Sequence, residues 1–235
     1  MRLLAFESSA KAASVALMTD GVLTAEFYQN SGLTHSATLL AMADDLLRRA
    51  GLSIEQVDVC AVAQGPGSFT GIRIGIAAVK GLCWGSERPC IGISTLEAMA
   101  ALHPLAEGIL CPVMDARREQ VYNALFQMQE GVLTRLTPDR AISTQELQEE
   151  LQNMPGQKVL IGDGAKLCYN AFGRLVPQTV LAPEPVQLQR ASGVAAAAWP
   201  RLQRGEGIPA AALSPCYLRL SQAERERLAR MGQGT

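Results

Sequence analysis

Leu3-Leu4-Ala5-Phe6-Glu7 opens the chain as an apolar run closed by an acid, and Ile109-Leu110-Cys111-Pro112-Val113-Met114-Asp115 repeats the arrangement roughly 110 residues later. Each run leads into two further apolar stretches joined at a Gly turn. In the first half these are residues 13–18 and 22–28, around Asp20-Gly21. In the second they are residues 121–128 and 132 onward, around Glu130-Gly131. A tight hairpin needs positive φ, which Gly adopts without steric cost. Each half therefore predicts three antiparallel strands. The recurrence of acid and turn in the same order predicts one fold used twice.

Outward from the first meander, a helix is expected over residues 34–50, with Leu39, Ala43, Leu46 and Ala50 sharing a face. Gly51 is a natural stop. A strand over 57–63, a sharp break at Gly65-Pro66-Gly67, a helix over 69–85 capped by Ser68, a strand over 89–93 and a helix over 95–102 follow. Residues 103–108 read as a linker, which divides the chain into an N-terminal lobe, 1–103, and a C-terminal lobe, 104–235. The second half is less regular, with a polar helix at 144–152, a strand at 159–161 and an Ala-rich helix at 191–204. A charged tail, 222–235, reads as a further helix. The pattern resembles the actin-like (ASKHA) fold, an α/β architecture in which a ribonuclease H-like unit is duplicated. It implies two lobes, each with a mixed sheet of five-stranded type and flanking helices. Such an analogy concerns the fold and leaves function open.

Composition narrows the function classes. Hydrophobic residues make up 48% and charged ones 18%, which excludes disorder for most of the chain. Aromatics are only 5%, so the core must be aliphatic and small. A net charge of −1 argues against gripping nucleic acid by overall charge. No uncharged apolar run reaches the roughly 18 residues of a membrane span, and the start does not read as a signal peptide. The six cysteines form no Cys-x-x-Cys and read as reduced thiols. Two histidines, His35 and His103, are too few for a His-rich metal site or a triad.

The segment richest in chemical options is Gly65-Pro66-Gly67-Ser68-Phe69-Thr70-Gly71-Ile72-Arg73-Ile74-Gly75. A Gly-rich turn opening a helix can hold an anion on unpaired N–H groups. The Lys-Ser or Lys-Thr of a P-loop is missing, so a capped turn is the simpler reading. Wound as a helix, the segment presents three faces. Arg73, Lys80 and Trp84 form a stripe; Ile72, Ile76, Val79 and Cys83 form a bulky face fit to cover a sheet. Gly71, Ile74, Gly75, Ala78, Gly81 and Gly85 form a small-residue face. Helical Gly is unfavourable by about 0.5–1 kcal/mol relative to Ala, so this face implies close backbone approach, by a neighbouring helix of the same chain or by another subunit. Glu7-Ser8-Ser9 closes the first strand where actin-like ATPases carry an Asp and a Gly; Glu7, Ser8 and Ser9, with Gly67 and Ser68, are the candidates for weak phosphate or nucleotide contact. Asp115-Ala116-Arg117-Arg118-Glu119 offers two arginines to a phosphate or to its own acids, and Gly162-Asp163-Gly164 is a weaker candidate turn.

Taken together, the Glu-Ser-Ser strand end, Thr34-His35-Ser36, the Gly65–Gly75 run, Gly92-Ile93-Ser94-Thr95-Leu96, Met114-Asp115-Ala116-Arg117-Arg118 and Tyr217-Leu218-Arg219 with Ala223-Glu224 resemble the TsaB (YeaZ) family over nearly the whole chain. That resemblance implies a cytoplasmic, actin-like subunit in the making of threonylcarbamoyladenosine beside the anticodon of tRNA. It implies a non-catalytic scaffold, with no metal and no cofactor beyond weak ATP or ADP binding. The partner TsaD would hold the catalytic metal through a His-x-x-x-His pair that this chain lacks. TsaE, an ATPase, would join the pair; tRNA would be reached through the complex; and the chain alone would form a homodimer. The interface implied lies on the first two helices: Leu39 and Met42, with Gly71, Ile74, Gly75, Ala78, Gly81 and Gly85. A face of roughly 800 Å² per partner would suffice. Gly75→Leu or Ala78→Glu is then expected to weaken pairing with the fold intact. Arg219, Arg225, Arg227 and Arg230 are further candidates for RNA contact, interleaved with Glu224 and Glu226. The alternatives are an actin-like ATPase or kinase and, below it, an M22-type peptidase homologue.

Overall fold

The computed structural model describes residues 1–219. β1 (Arg2–Glu7), β2 (Ala13–Thr19) and β3 (Val22–Gln29) form the antiparallel meander. Helix α1 (His35–Arg49), β4 (Val59–Gly65), α2 (Phe69–Cys83), β5 (Cys90–Ser94) and α3 (Thr95–Ala101) complete the first lobe's run. The sheet order is β3-β2-β1-β4-β5, with β4 and β5 parallel to β1. Period-two alternation splits β1 between two cores. Leu4 and Phe6 pack under α1 and α2 with Leu39, Ile72, Ile76 and Val79. Leu3 and Ala5 face the opposite side.

The second lobe comprises β6 (Gly108–Asp115), β7 (Gln120–Asn123), β8 (Phe126–Gln129), β9 (Val132–Arg135), β10 (Arg140–Ser143), α4 (Thr144–Gln152), β11 (Lys158–Ile161), α5 (Ala165–Cys168) and β12 (Thr179–Leu181). Its sheet has seven strands in the order β10-β7-β6-β11-β12, with β8 pairing β6 and β9. The expected single strand over 121–128 is two strands, β7 and β8. The break falls opposite Pro112 of β6, which has no N–H for the ladder: Val113 pairs with Asn123 and Leu110 with Phe126. The Asn123 amide fills the gap, donating to the carbonyls of Pro112 and Ala124 at 3.1 Å each. The strands β10 and β12 had no counterpart in the sequence reading.

The chain then returns to the first lobe. Helix α6 (Ala191–Gln203) packs Ala191, Val194, Ala195 and Ala198 on Leu3, Ala5 and Ala16. Its small side chains let it lie close: a Cβ on Gly193 would sit 2.3 Å from the Ala98 carbonyl. Glu26 of β3 holds its first turn, accepting from the Ser192 N–H and hydroxyl at 2.9 Å each and from Arg190 at 3.2 Å. Ile208 bridges to Cys90 at the edge of β5. The expected 104–235 lobe is therefore too long: residues 104–190 build the second sheet and its helices, and residues 191–213 close the first. The predicted tail helix lies outside the described residues.

Candidate functional site

The carboxyl ends of β1 and β4 meet that of β6 where the lobes face each other. A Cβ on Gly67 would lie 2.4 Å from the Ser9 carbonyl and 3.2 Å from Met114 Cε. The turn after β4 is held against the turn after β1: Ser68 N–H donates to Ser9 O at 2.7 Å, and Ser8 Oγ donates to Gly71 O at 2.9 Å. Ser68 Oγ caps α2, accepting from Gly71 N–H at 3.3 Å. Glu7, Ser8 and Ser9 are thus brought together with Gly67 and Ser68 as expected, but the first three are fully buried. Glu7, Ser8 and Ser9 are therefore not open to a phosphate or nucleotide, contrary to expectation, whereas Ser68 is exposed and Gly67 half-buried at the start of α2.

Glu7 Oε1 accepts Ser9 N–H at 2.6 Å, while Oε2 has no partner among the described residues. Burial pushes this carboxyl up to about 7, outweighing the hydrogen bonds from Ser9 and Ser8. Between its ordinary value of 4.5 and about 7 the folded chain keeps a proton here that the unfolded chain has lost. Stability contributed by Glu7 is therefore present in full below that window and falls as pH rises through it, by roughly 3 kcal/mol. Glu7→Gln is expected to flatten the decline between pH 5 and 8 and to raise the melting temperature at pH 8. An unchanged slope in thermal melts would show that Glu7 titrates in water.

From the second lobe, Asp115 Oδ1 accepts Arg117 N–H at 2.7 Å, and Arg117, Arg118 and Glu119 follow in left-handed conformation. Asp115 thus serves the backbone of its turn, and both arginine side chains are exposed. Asp163, open at its surface yet set in a crowded crevice, is raised by loss of bulk water and, less, by Asp115. Sequence reading missed the strap that crosses this region. Cys216 N–H donates to Gln64 O at 2.7 Å. Tyr217 stacks on Phe69 with ring centres 4.2 Å apart and accepts from Arg73 Nε at 2.7 Å. Arg219 donates to Ala116 O at 2.7 Å, reaching the second lobe. The only advance signal was the Tyr217-Leu218-Arg219 motif itself. The predicted stripe of α2 is where the returning chain lies: Arg73 meets Tyr217, Lys80 meets Ala211 O, and Trp84 is exposed. Arg225, Arg227 and Arg230 lie outside the described residues.

The bulky face of α2 enters the core as expected. The small-residue face divides. A Cβ on Gly71 would lie 2.0 Å from Ser8 O, and one on Gly75 would lie 2.6 Å from Ser8 Oγ and 3.1 Å from Val62 Cγ2. These two glycines admit the chain's own β1 and β4, and Leu39 is buried in the same core. All three are corrected: none is available to a partner. Ala78 is also buried, while Met42 and Ile74 are half-buried. Gly81 and Gly85 have open space around them. With Ala37, Leu40, Ala41 and Ala77, all exposed, they leave a small apolar surface across α1 and α2.

Fold and strand-end geometry define a two-lobed, actin-like protein. The family model of TsaD, tRNA N6-adenosine threonylcarbamoyltransferase, matches residues 29–226. The tRNA threonylcarbamoyladenosine biosynthesis protein TsaB of Escherichia coli is 33% identical over 93% of this chain and 95% of its own. The TsaB of Bacillus subtilis is 30% identical over 71% and 73%. The solved structure of YeaZ from Pseudomonas aeruginosa superposes with a TM-score of 0.78 at 28% identity, covering 92% of this chain and 99% of that one. The chain belongs to the TsaB branch of this family, the proteins of tRNA threonylcarbamoyladenosine biosynthesis. Among the described residues no helix is long and apolar enough to cross a membrane.

Proposed function

We propose that the chain is the non-catalytic scaffold subunit of the threonylcarbamoyl transferase complex. It pairs with TsaD, admits TsaE to the pair, meets tRNA through the complex and forms a homodimer when alone, in the cytoplasm. The observation that carries this reading is the apolar surface on α1 and α2, where Leu40 is 48% exposed and Gly81 has no neighbour within 4 Å. Exposed small and apolar residues on two adjoining helices suit close approach by another subunit. The placement of the histidines agrees: His35 Nε2 is bonded to Ala10 O at 2.7 Å, and burial lowers His103 within its own packing. The test is reconstitution from this chain, TsaD, TsaE, tRNA and threonylcarbamoyl-adenylate. Modification should need this chain and TsaD together. A yield unchanged by omitting the chain would end the scaffold reading, and modification by the chain alone would end the non-catalytic one.

A further inference from the structure

Exposed arginines elsewhere in the chain meet carboxylates: Arg48 and Arg49 meet Asp45, and Arg201 and Arg204 meet Glu206. Arg73, Arg117, Arg118 and Arg219 form no ion pair among the described residues, and the fold sets these four along one strip. Arg73, exposed on α2, donates Nε to the Tyr217 hydroxyl and lies 5.6 Å from that ring's centre and 5.7 Å from that of Phe69. Arg219 follows Tyr217 in the strap, within about 7 Å of it along the chain. It donates one N–H to Ala116 O, next to Arg117 and Arg118. The strip thus runs from the first lobe to the second.

Its middle is aromatic. Phe69 and Tyr217 stack at 15° from parallel, and Tyr217 stays 37% exposed. Its second-lobe end is a fixed turn. Arg117, Arg118 and Glu119 have φ of 63°, 56° and 57°, a region that non-Gly residues seldom adopt. Bonds at both ends keep them there, from Arg117 N–H to Asp115 Oδ1 and from Thr144 N–H to Glu119 O at 3.1 Å. The acids of this region, Asp115, Glu119 and Asp163, are outnumbered by the four arginines. A net charge of −1 for the whole chain makes such a local excess the more distinct.

Unpaired guanidinium groups around exposed stacked rings suit a partner with both anionic phosphates and flat bases. An acidic peptide brings the charge and leaves the rings unused. We propose that this strip is an RNA-contact surface of the chain itself, with Tyr217 stacking on an unpaired base and Arg117 and Arg118 on phosphates. The choice of RNA rests on the reading above that tRNA is the substrate of the complex. Arg73 lies one turn from Ala77 on the exposed side of α2, so the strip begins at the rim of the surface assigned to TsaD. RNA held by that subunit would cross onto this chain there.

The test is fluorescence anisotropy of labelled, unmodified tRNA with the full chain over a range of salt. Arg117→Glu with Arg118→Glu is expected to weaken binding at least about tenfold and to reduce the slope of log affinity on log salt by about 2. Tyr217→Ala is expected to weaken it by about fivefold or more with the slope kept, and Tyr217→Phe, which keeps the ring on Phe69, to restore it. Arg48→Glu with Arg49→Glu makes the same change of net charge at the far end of α1 and should leave affinity nearly unchanged. Equal loss in the two double variants would reduce the effect to overall charge and overturn the proposal. Absence of tRNA binding by the parent, or parental affinity in Arg117→Glu with Arg118→Glu, would also overturn it. So would displacement of tRNA by polyglutamate with Tyr217→Ala silent, which would mark a surface for an acidic protein. Circular dichroism confirms that each variant is folded. The titration uses this chain alone, so its failure is read apart from that of the reconstitution: modification that needs the chain, with strip variants that bind tRNA as the parent does, would sink this proposal and leave the scaffold reading standing.

Discussion

Gly71→Ala is expected to destabilise the fold by about 4 kcal/mol. For a domain of this size that lowers the melting temperature by roughly 8–16 °C. In an exposed helix the same change would stabilise, because Ala is the better helix former. Here the new Cβ would sit 2.0 Å from Ser8 O, a separation no carbon–oxygen contact tolerates. The oxygen belongs to backbone at the end of β1, in the middle of the sheet, and no rotamer moves it aside. The helix cannot retreat either, since Ile72 and Val79 of the same helix are fully buried under it. Relief would require breaking the Ser8–Gly71 hydrogen bond and lifting the first turn of α2. Circular-dichroism melts of the two proteins decide the matter. A loss under about 1 kcal/mol would mean that the strand end yields and the packing account is wrong.

Gly81→Ala, ten residues further along the helix, is the control within the same element. Nothing stands within 4 Å of its added methyl. It should raise stability by about 0.5–1 kcal/mol. The same geometry changes what Gly75→Leu would report. With Ser8 Oγ 2.6 Å from its Cβ, a leucine there damages folding before it touches any partner. Loss of a dimer in that variant would carry no information about the interface.

The two-lobe duplication was legible because its signals are local. A strand-closing acid, a Gly hairpin and a capped helix each occupy a few consecutive residues, and the predicted bounds of α1, α4 and α6 fall within about two residues of those observed. The split of β7 from β8 was not legible: it is imposed by Pro112 on the neighbouring strand β6, through a pairing register that the sequence of residues 121–128 does not itself show. The return of α6 to the first sheet was hidden for a related reason. Its run of alanines suits any close packing and does not say which sheet lies beneath. The bulky face of α2 could be read from its spacing, but the small-residue face could not be assigned. Gly71 and Gly81 look alike in sequence, and only the position of Ser8 makes one a core contact and the other open surface.

That division tells where a partner can be disrupted without harming the fold. Ala77 and Gly81 are exposed and lie four residues apart on α2, so both point to the same side. Ala77→Glu with Gly81→Glu should leave the melting temperature within a few degrees of the parent. If α1 and α2 dock another subunit, the pair of carboxylates would be buried against an apolar surface with nothing to pair them. Such uncompensated charge is unfavourable by about 3–5 kcal/mol. Affinity would fall by roughly two to four orders of magnitude. The double variant is therefore expected to elute as a monomer by size-exclusion chromatography with light scattering, and to lose both calorimetric binding to TsaD and support of tRNA modification. Val22→Glu, on the exposed edge strand β3, supplies a charge of the same kind away from α1 and α2 and should change none of these. If the double variant still pairs at the parent's concentration while its fold is intact, the open half of α2 is not the contact surface. The scaffold reading would then lose its surface, because the other half of the helix is occupied by the chain's own strands.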